Sequence, residues 1–167
     1  MERMIKAPKL ATADVCDALG NAAQMVALPF CDFGLRLDFA GPIGTLKTID
    51  DNSHVRTFLE EKGEGRVLVI DGAASMRTAL VGGDLAALAA KNGWAGLIVN
   101  GCVRDRHELI SEDIGIKALR ACPRKSIKRD CGEMNVPISL GGVIIEPGFW
   151  AIADADGVVI TQDLPSL

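Results

Sequence analysis

The sequence predicts an α/β fold in which parallel strands alternate with helices. Residues 67–70 and 97–99 are wholly apolar and rich in β-branched side chains, which is typical of strands buried on both faces. Between them, residues 85–91 carry apolar side chains at helical spacing, and Gly93 follows as a helix stop. Because strand, helix and strand in this order form a βαβ unit, we expect a parallel sheet covered by helices.

The N-terminal part supplies three further elements. Residues 11–19 predict a short amphipathic helix with Thr12 as a candidate N-cap. Residues 45–49 alternate polar and apolar side chains, as a half-buried strand does. Ser53 follows a polar turn and is a candidate cap for a second helix, which ends near Gly63.

The C-terminal part is predicted to consist of short strands. After a helical turn at residues 108–110, strands are expected at residues 115–119, 136–140, 143–145, 151–153 and 158–160. Gly-Gly, Pro-Gly and Asp-Gly pairs separate the last four of them and are typical turn sequences. No linker or repeat interrupts this pattern, so residues 1–167 are expected to form one domain.

The composition excludes several classes of protein. The 167 residues are 49% hydrophobic and 24% charged, which is the balance of a folded globular chain. Apolar runs of four or five residues are far shorter than the roughly 20 that a membrane span needs. A net charge of −4 and an aromatic content of 4% argue against a nucleic-acid partner. The N-terminus lacks the apolar segment of a secretory signal, so a cytoplasmic location is expected.

Cysteine, histidine and lysine positions indicate no common catalytic motif. The five cysteines include no Cys-x-x-Cys pair, and Cys102, beside a strand end, is expected to be a small buried filler. His54 and His107 are expected on the surface. Lys47 is taken as the one lysine within an apolar strand pattern and is expected to point outward, which disfavours a Schiff-base aldolase.

One basic cluster stands out against the acidic background. It consists of Arg124, Lys125, Lys128 and Arg129. A short run of this kind is typical of a solvated loop, which is the favoured interpretation. Contact with an anionic partner is the alternative.

Two glycines precede the helix predicted at residues 85–91. Gly82 and Gly83, followed by Asp84, place unpaired backbone N–H groups at a helix start, where a carboxylate or phosphate can bind. The alternative is a plain turn in which Asp84 is the N-cap of the helix.

Arg104 and Asp105 follow a buried strand, at the edge of the sheet where α/β proteins tend to bind ligands. Such a pair can clamp an anion and hold a metal, or it can be a simple surface ion pair. Glu108 would share a helical face with Asp105 if this turn is helical. The two carboxylates would then lie within reach of one Mg²⁺ and its waters.

Together these segments resemble the class II pyruvate aldolases that cleave 4-hydroxy-4-methyl-2-oxoglutarate, and the related RraA-like proteins, named for a regulator of ribonuclease E activity. The shared motif is Gly83, twenty residues, Arg104 and Asp105, two residues, and Glu108. The likeness covers about residues 14–161. The surrounding stretches that match are residues 92–96, 100–105, 113–119 and 153–158.

The resemblance implies a compact layered α/β sandwich of the swivelling-domain type, assembled as a homotrimer or a dimer of trimers with active sites between subunits. It implies that the backbone amides of Gly82 to Leu85 bind the substrate carboxylate and that Arg104 binds the keto acid. It also implies that Asp105 holds Mg²⁺ or Mn²⁺, and the spacing of the two carboxylates adds Glu108 as a second ligand, directly or through water.

The chemistry of these residue types agrees with the implied reaction. Cleaving a 4-hydroxy-2-keto acid leaves a pyruvate enolate, whose charge a chelating metal stabilises. Arg104 would donate a hydrogen bond to the same oxygen. Oxaloacetate decarboxylation passes through the same enolate and is an expected side activity.

The proton shuttle departs from the family pattern. Many relatives carry Asp at the position of Gly83, where it is thought to orient a catalytic water, whereas this chain has Asp84 one residue later. Asp84 either takes over that role or only caps the helix.

Two other functions are weighed against the enzyme. A non-catalytic regulator that binds and inhibits a ribonuclease, as some RraA-like members do, has no need of metal ligands, and here Arg104, Asp105 and Glu108 are all present. A phosphohistidine domain needs a histidine in a glycine-rich turn, and neither His54 nor His107 has that setting.

Overall fold

The protein is represented by a computed structural model that describes residues 10–167. Its helices are α1 (Thr12–Leu19), α2 (Ser53–Glu60), α3 (Gly83–Lys91) and α4 (Arg106–Leu109), with a short 3-10 helix at Gly20–Ala22. Its strands are β1 (Gln24–Met25), β2 (Cys31–Asp32), β3 (Phe39–Lys47), β4 (Val67–Asp71), β5 (Ala79–Val81), β6 (Gly96–Val103), β7 (Gly115–Ala121), β8 (Glu133–Met134), β9 (Ile138–Leu140), β10 (Val143–Ile145), β11 (Trp150–Asp154) and β12 (Gly157–Thr161). None of these helices has both the length and the apolar composition that a membrane span requires.

The long strand β3 joins two sheets. Its first half pairs antiparallel with β11, and its second half, from Ile43 to Lys47, pairs parallel with β4. An antiparallel sheet in the order β1-β12-β11-β3 therefore continues into a parallel sheet in the order β3-β4-β6-β7, with β2 antiparallel at its edge. The helices α2, α3 and α4 lie between successive parallel strands, so the predicted βαβ arrangement is confirmed.

Side chains on the two faces of the parallel sheet enter different cores. Leu68 and Ile70 pack with the apolar residues of α2 and α3, whereas Val67 and Val69 pack with those of the antiparallel sheet. A third cluster places Val15 of α1 against the outer face of the antiparallel sheet. The order of layers is thus helices, parallel sheet, antiparallel sheet and helix, which is the layered α/β sandwich that the family resemblance implied.

Both predicted helix caps are wrong, because the hydroxyl groups donate elsewhere. Helix α1 begins at Thr12 with Ala11 as its cap, and the Thr12 hydroxyl donates to Asp154 Oδ1 at 2.7 Å. Helix α2 has Asn52 as its cap, and the Ser53 hydroxyl donates to Asp51 Oδ1 at 2.6 Å. These hydroxyls tie the helix starts to neighbouring segments instead of capping the helices.

Lys117 corrects the expectation that Lys47 is the one lysine within an apolar strand. Lys47 is exposed, as predicted, but Lys117 lies within β7 with a side chain only 2% exposed. Its Nζ forms an ion pair with Asp32 Oδ1 at 2.8 Å and donates a hydrogen bond to the carbonyl oxygen of Asp154. Lys117 therefore connects β7 to β2 and to β11 of the antiparallel sheet. Because the Lys117 Nζ is buried and engaged by both partners, this lysine is not available as a Schiff-base nucleophile.

Candidate active site

The two predicted motifs meet because they follow neighbouring strands. Strand β5 pairs parallel with the end of β6, with Val81 opposite Val103. The Arg104 N–H donates to the Val81 carbonyl at 2.9 Å. The residues after each strand therefore leave the sheet side by side, which brings Gly82 and Gly83 next to Arg104 and Asp105.

Asp105 lies outside helix α4, in a left-handed backbone conformation with φ 63° and ψ 45°. Aspartate is one of the few residue types that adopt this conformation readily. It directs the carboxylate towards the start of α3, where Oδ2 accepts a hydrogen bond from the Gly83 N–H at 2.9 Å. The predicted shared helical face of Asp105 and Glu108 is therefore wrong, because Asp105 precedes the helix that contains Glu108.

The two carboxylates nevertheless face the same stretch of backbone. A Cβ atom on Gly82 would lie 2.7 Å from Asp105 Oδ2, and one on Gly83 would lie 1.7 Å from Glu108 Oε2. Glycine at both positions thus leaves room for the two acidic side chains. An aspartate in place of Gly83 would require Glu108 to move away.

An open cleft of about 710 Å³ lies in front of this backbone. Its walls include every residue predicted to bind substrate, from Gly82 to Leu85 and Arg104, together with Asp105. Glu108 is not part of the lining. The cleft is of the size typical of small-molecule sites.

Arg104 has few internal partners. Its Nε lies 3.9 Å from Asp105 Oδ2, its Nη1 lies 3.5 Å from the Pro123 carbonyl, and its side chain is 40% exposed. Both distances are at the outer limit of a useful interaction. A guanidinium group has five N–H donors, so most of them remain available for a ligand.

The start of α3 offers a partly filled anion site. Gly82 is the N-cap, and Asp84 lies exposed in the first turn without a capping hydrogen bond, so the interpretation of Asp84 as the N-cap is wrong. Asp105 already uses the Gly83 N–H. Within residues 10–167, no hydrogen bond uses the N–H of Asp84 or Leu85, and both residues line the cleft.

The basic cluster lies at the cleft rather than on a remote loop. Arg124, Lys125 and Lys128 line the same cleft as the start of α3, whereas Arg129 does not. The four side chains are exposed, as the favoured interpretation expected, but that interpretation missed their position. No local sequence pattern indicates that the basic cluster lies at the cleft, because its position depends on a bridge between Lys125 and Ala79 of β5.

The remaining candidates have structural or peripheral positions. His107 is exposed on α4, as predicted. His54 is half-buried in α2, with Nδ1 3.2 Å from the Cys131 carbonyl. Cys102 is fully buried, and this burial raises the pKa of its thiol, as befits a filler rather than a nucleophile.

The acidic residues fit a magnesium-type ion better than a closed metal centre. Among residues 10–167, no three His, Cys, Asp or Glu side chains are grouped to hold a metal. The hydrogen bonds of the described residues engage only Oδ2 of Asp105. Mg²⁺ keeps several waters and commonly binds through one or two carboxylates, so Asp105 with Glu108 is a suitable donor set.

Comparison with known proteins identifies the family. The sequence profile of the RraA-like family, described as Aldolase/RraA, matches residues 12–160. The chain belongs to the RraA-like family. A relative from Alkalilimnicola ehrlichii, named "Putative 4-hydroxy-4-methyl-2-oxoglutarate aldolase", is 49% identical over 152 residues, which cover 91% of this chain and 94% of the relative.

Two solved structures share the RraA-like fold with this chain. The RNA-processing inhibitor RraA from Thermus thermophilis is 44% identical, with a TM-score of 0.91 over 94% of this chain and 95% of that one. A structure named S-adenosylmethionine: 2-dimethylmenaquinone methyltransferase, from Geobacillus kaustophilus HTA426, is 43% identical, with a TM-score of 0.90 over 93% and 96%. The predicted RraA-like fold is confirmed. The names of the Alkalilimnicola relative and of these two structures describe three different activities. The function of this chain therefore has to be inferred from its site.

Proposed function

We propose that this RraA-like protein is a divalent-metal-dependent class II aldolase that cleaves 4-hydroxy-4-methyl-2-oxoglutarate into two molecules of pyruvate and also decarboxylates oxaloacetate. The observation that carries the proposal is the convergence of Arg104, Asp105 and the start of α3 on one cleft. The name of the Alkalilimnicola relative supports the same reaction.

The first carboxylate of the substrate binds at the start of α3. The unpartnered N–H groups of Asp84 and Leu85 donate to it, and the positive end of the helix dipole favours its charge. Arg104 donates to the neighbouring keto oxygen, which orients the bond that breaks. These groups are held by backbone pairing of β5 and β6, so they need little rearrangement on binding.

Asp105, with Glu108, would hold Mg²⁺ or Mn²⁺, which stabilises the negative charge that develops on the keto oxygen. Asp105 retains its hydrogen bond to Gly83, which fixes the direction of the carboxylate.

The cleavage step breaks the bond between C3 and C4. The C4 hydroxyl loses its proton and becomes the keto group of one pyruvate, while the bonding electrons pass to C3 and form the enolate of the other. A proton then adds to C3. Asp84 is exposed in the cleft and is the candidate for moving these protons. With oxaloacetate, CO₂ leaves and the same enolate is protonated.

The test is pyruvate release from 4-hydroxy-4-methyl-2-oxoglutarate and from oxaloacetate, with Mg²⁺ and with excess EDTA. We expect activity that depends on the metal and that Asp105→Ala abolishes. Asp17→Ala, which removes an exposed carboxylate from α1, is the matched control and should retain activity. Activity that survives EDTA, or no pyruvate from either substrate, would overturn the proposal.

A second candidate is a regulator that binds and inhibits a ribonuclease. The similarity to the Thermus RNA-processing inhibitor favours it. The test is cleavage of an RNA substrate by ribonuclease E with this protein added. Inhibition by wild type and by Asp105→Ala alike would support the regulator, because docking does not need the metal ligand.

A further inference from the structure

Three sulfur-containing residues meet near the end of strand β6, outside the groups that the proposed reaction uses. The Cys102 Sγ donates a hydrogen bond to Met76 Sδ at 3.5 Å. The Cys122 N–H donates to the Val103 carbonyl at 2.9 Å, so Cys122 lies beside the same strand end. The three residues belong to separate segments, which are the loop between β4 and β5, strand β6 and the residue that follows β7.

The two cysteines point to the same face of the parallel sheet. Val103 packs in the core on the helix side, and Ala121, its partner in β7, packs against the same core. Because successive side chains along a strand point to opposite faces, the neighbouring Cys102 and Cys122 both point to the other face. Burial raises the pKa of the Cys102 thiol, and the charge of Cys122 raises it further, so the two thiols are close enough to interact.

The loop that carries Met76 is held in place over β6. The Ala74 N–H donates to the Asn100 carbonyl at 3.1 Å. The hydroxyl of Ser75, the residue before Met76, donates to Asp50 Oδ1 at 2.5 Å. The Met76 sulfur therefore approaches the strand from a backbone with a defined position. Met76 is itself 44% exposed, so a small ion can reach the buried thiol along its side chain.

Thiol and thioether groups are soft donors, which select Cu(I) and bind hard ions such as Mg²⁺ poorly. A Cu(I) ion that binds a thiol displaces its proton, which leaves as H⁺, while the thioether binds without losing a proton. Two thiolates and one Cu(I) ion carry one net negative charge. Arg120, which is paired with Cys102 across the sheet and opposes the effect of burial on its pKa, offsets that charge.

We propose that Cys102, Cys122 and Met76 form a binding site for a thiophilic monovalent metal ion, Cu(I). The inference does not depend on the proposed function, because the carboxylates of Asp105 and Glu108 are hard donors and take no part in this site. The burial that makes Cys102 a poor nucleophile does not prevent metal binding, since the metal ion itself removes the proton from the thiol.

The test is anaerobic competition for Cu(I) between the full-length protein and the coloured chelator bathocuproine disulfonate, with ascorbate present to keep the copper reduced. We expect wild type to withdraw one Cu(I) per chain from the chelator complex. Met76→Leu and Cys122→Ser should each weaken Cu(I) binding at least about tenfold, because each removes one sulfur ligand. Cys102→Ser, which removes the buried ligand, should weaken binding at least about 100-fold.

Met25→Leu and Cys131→Ser are the matched controls, because they remove an exposed methionine and an exposed cysteine from other parts of the structure. Both should keep the wild-type Cu(I) affinity. Each variant is checked for an unchanged melting temperature. Met76→Leu changes an exposed position and nearly conserves the side-chain volume, so it decides the outcome if Cys102→Ser is unstable.

Asp105→Ala separates this site from the proposed active site and should bind Cu(I) as wild type does. If wild type leaves Cu(I) with the chelator, or if Met76→Leu and wild type bind it equally well, the inference is overturned. Equal weakening by the controls Met25→Leu and Cys131→Ser would also overturn it, because the copper would then be bound by scattered sulfur groups. None of these results depends on whether the protein releases pyruvate.

Discussion

Lys117 and Arg104 show how the fold uses the same kind of charge in two different regions. Lys117 lies between the two sheets, 2% exposed, with Asp32 at 2.8 Å and the Asp154 carbonyl as its partners. Arg104 lies at the cleft, 40% exposed, with its nearest carboxylate at 3.9 Å. A cation whose partners are supplied by the fold contributes to stability, whereas one without close partners is available to a ligand.

The largest expected effect comes from removing the buried cation. Lys117→Met leaves Asp32 without its ion-pair partner and should lower the free energy of unfolding by about 4 kcal/mol. Urea denaturation measures this change. Lys62→Met, at an exposed lysine, is the control and should change stability by less than about 0.5 kcal/mol. A Lys117→Met protein as stable as wild type would show that the buried Lys117 contacts do not stabilise the fold.

Arg104→Ala should show the opposite pattern. We expect the barrier for pyruvate release to rise by on the order of 3 kcal/mol, about 100-fold in rate, because a preorganised donor to the keto oxygen is lost. The free energy of unfolding should change by less than about 1 kcal/mol, since the pair with Asp105 is long and exposed. Steady-state kinetics and urea denaturation of the same preparation check both values. If Arg104→Ala lost stability in proportion to activity, Arg104 would be a structural cation like Lys117 rather than one available to a ligand.

Asp51 contributes to stability, as Lys117 does, although the neighbouring Asn52 lines the cleft. Burial raises the pKa of Asp51, but hydrogen bonds from the Ser53 hydroxyl and from three backbone N–H groups outweigh this effect and hold the pKa at about 2. This value is below the usual 3.8, so Asp51 adds stability above about pH 4 that is lost as the pH falls towards 2. Asp51→Asn should cost about 2 kcal/mol at pH 7 and flatten the acid dependence between pH 4 and pH 2. Thermal unfolding across this range is the measurement. An unchanged pH profile in the variant would show that another carboxylate controls acid unfolding.

Gly83 gives the smallest and most specific effect. Replacing glycine by alanine stabilises a helix by up to about 1 kcal/mol, but at position 83 the alanine Cβ would collide with Glu108 Oε2. Gly83→Ala should therefore be neutral or slightly destabilising in wild type and stabilising in a Glu108→Ala background. A double-mutant cycle of unfolding free energies measures the coupling, which we expect to be at least about 0.5 kcal/mol. A cycle without coupling would place Glu108 away from Gly83.

Local sequence patterns were enough to predict the centre of the fold. The apolar runs of β4 and β6 and the helical spacing of α3 depend on neighbours a few residues away, so the βαβ unit and the motif at its edge could be derived. Strand β5, with three residues, was too short to give such a signal. Its absence from the prediction also hid the pairing that brings Gly83 next to Asp105.

Contacts between residues distant in sequence explain the remaining differences between the sequence-based predictions and the structure. Lys117 meets the Asp154 carbonyl 37 positions away, and Ser126 meets Ala79 across 47 positions. The first contact makes a lysine part of the core, and the second turns a basic loop into a wall of the cleft. Neither arrangement follows from residue spacing, because each requires knowing which strands are adjacent.

The most direct test of the metal-dependent active site is the binding of Mn²⁺ to wild type and to Asp105→Ala, monitored by electron paramagnetic resonance. If the cleft is a metal-dependent active site, wild type should bind one Mn²⁺ per chain, and Asp105→Ala should bind it at least about tenfold more weakly. Asp17→Ala should match wild type. Equal Mn²⁺ affinity in wild type and Asp105→Ala would contradict the assignment of Asp105 as a metal ligand and of the cleft as a class II aldolase site.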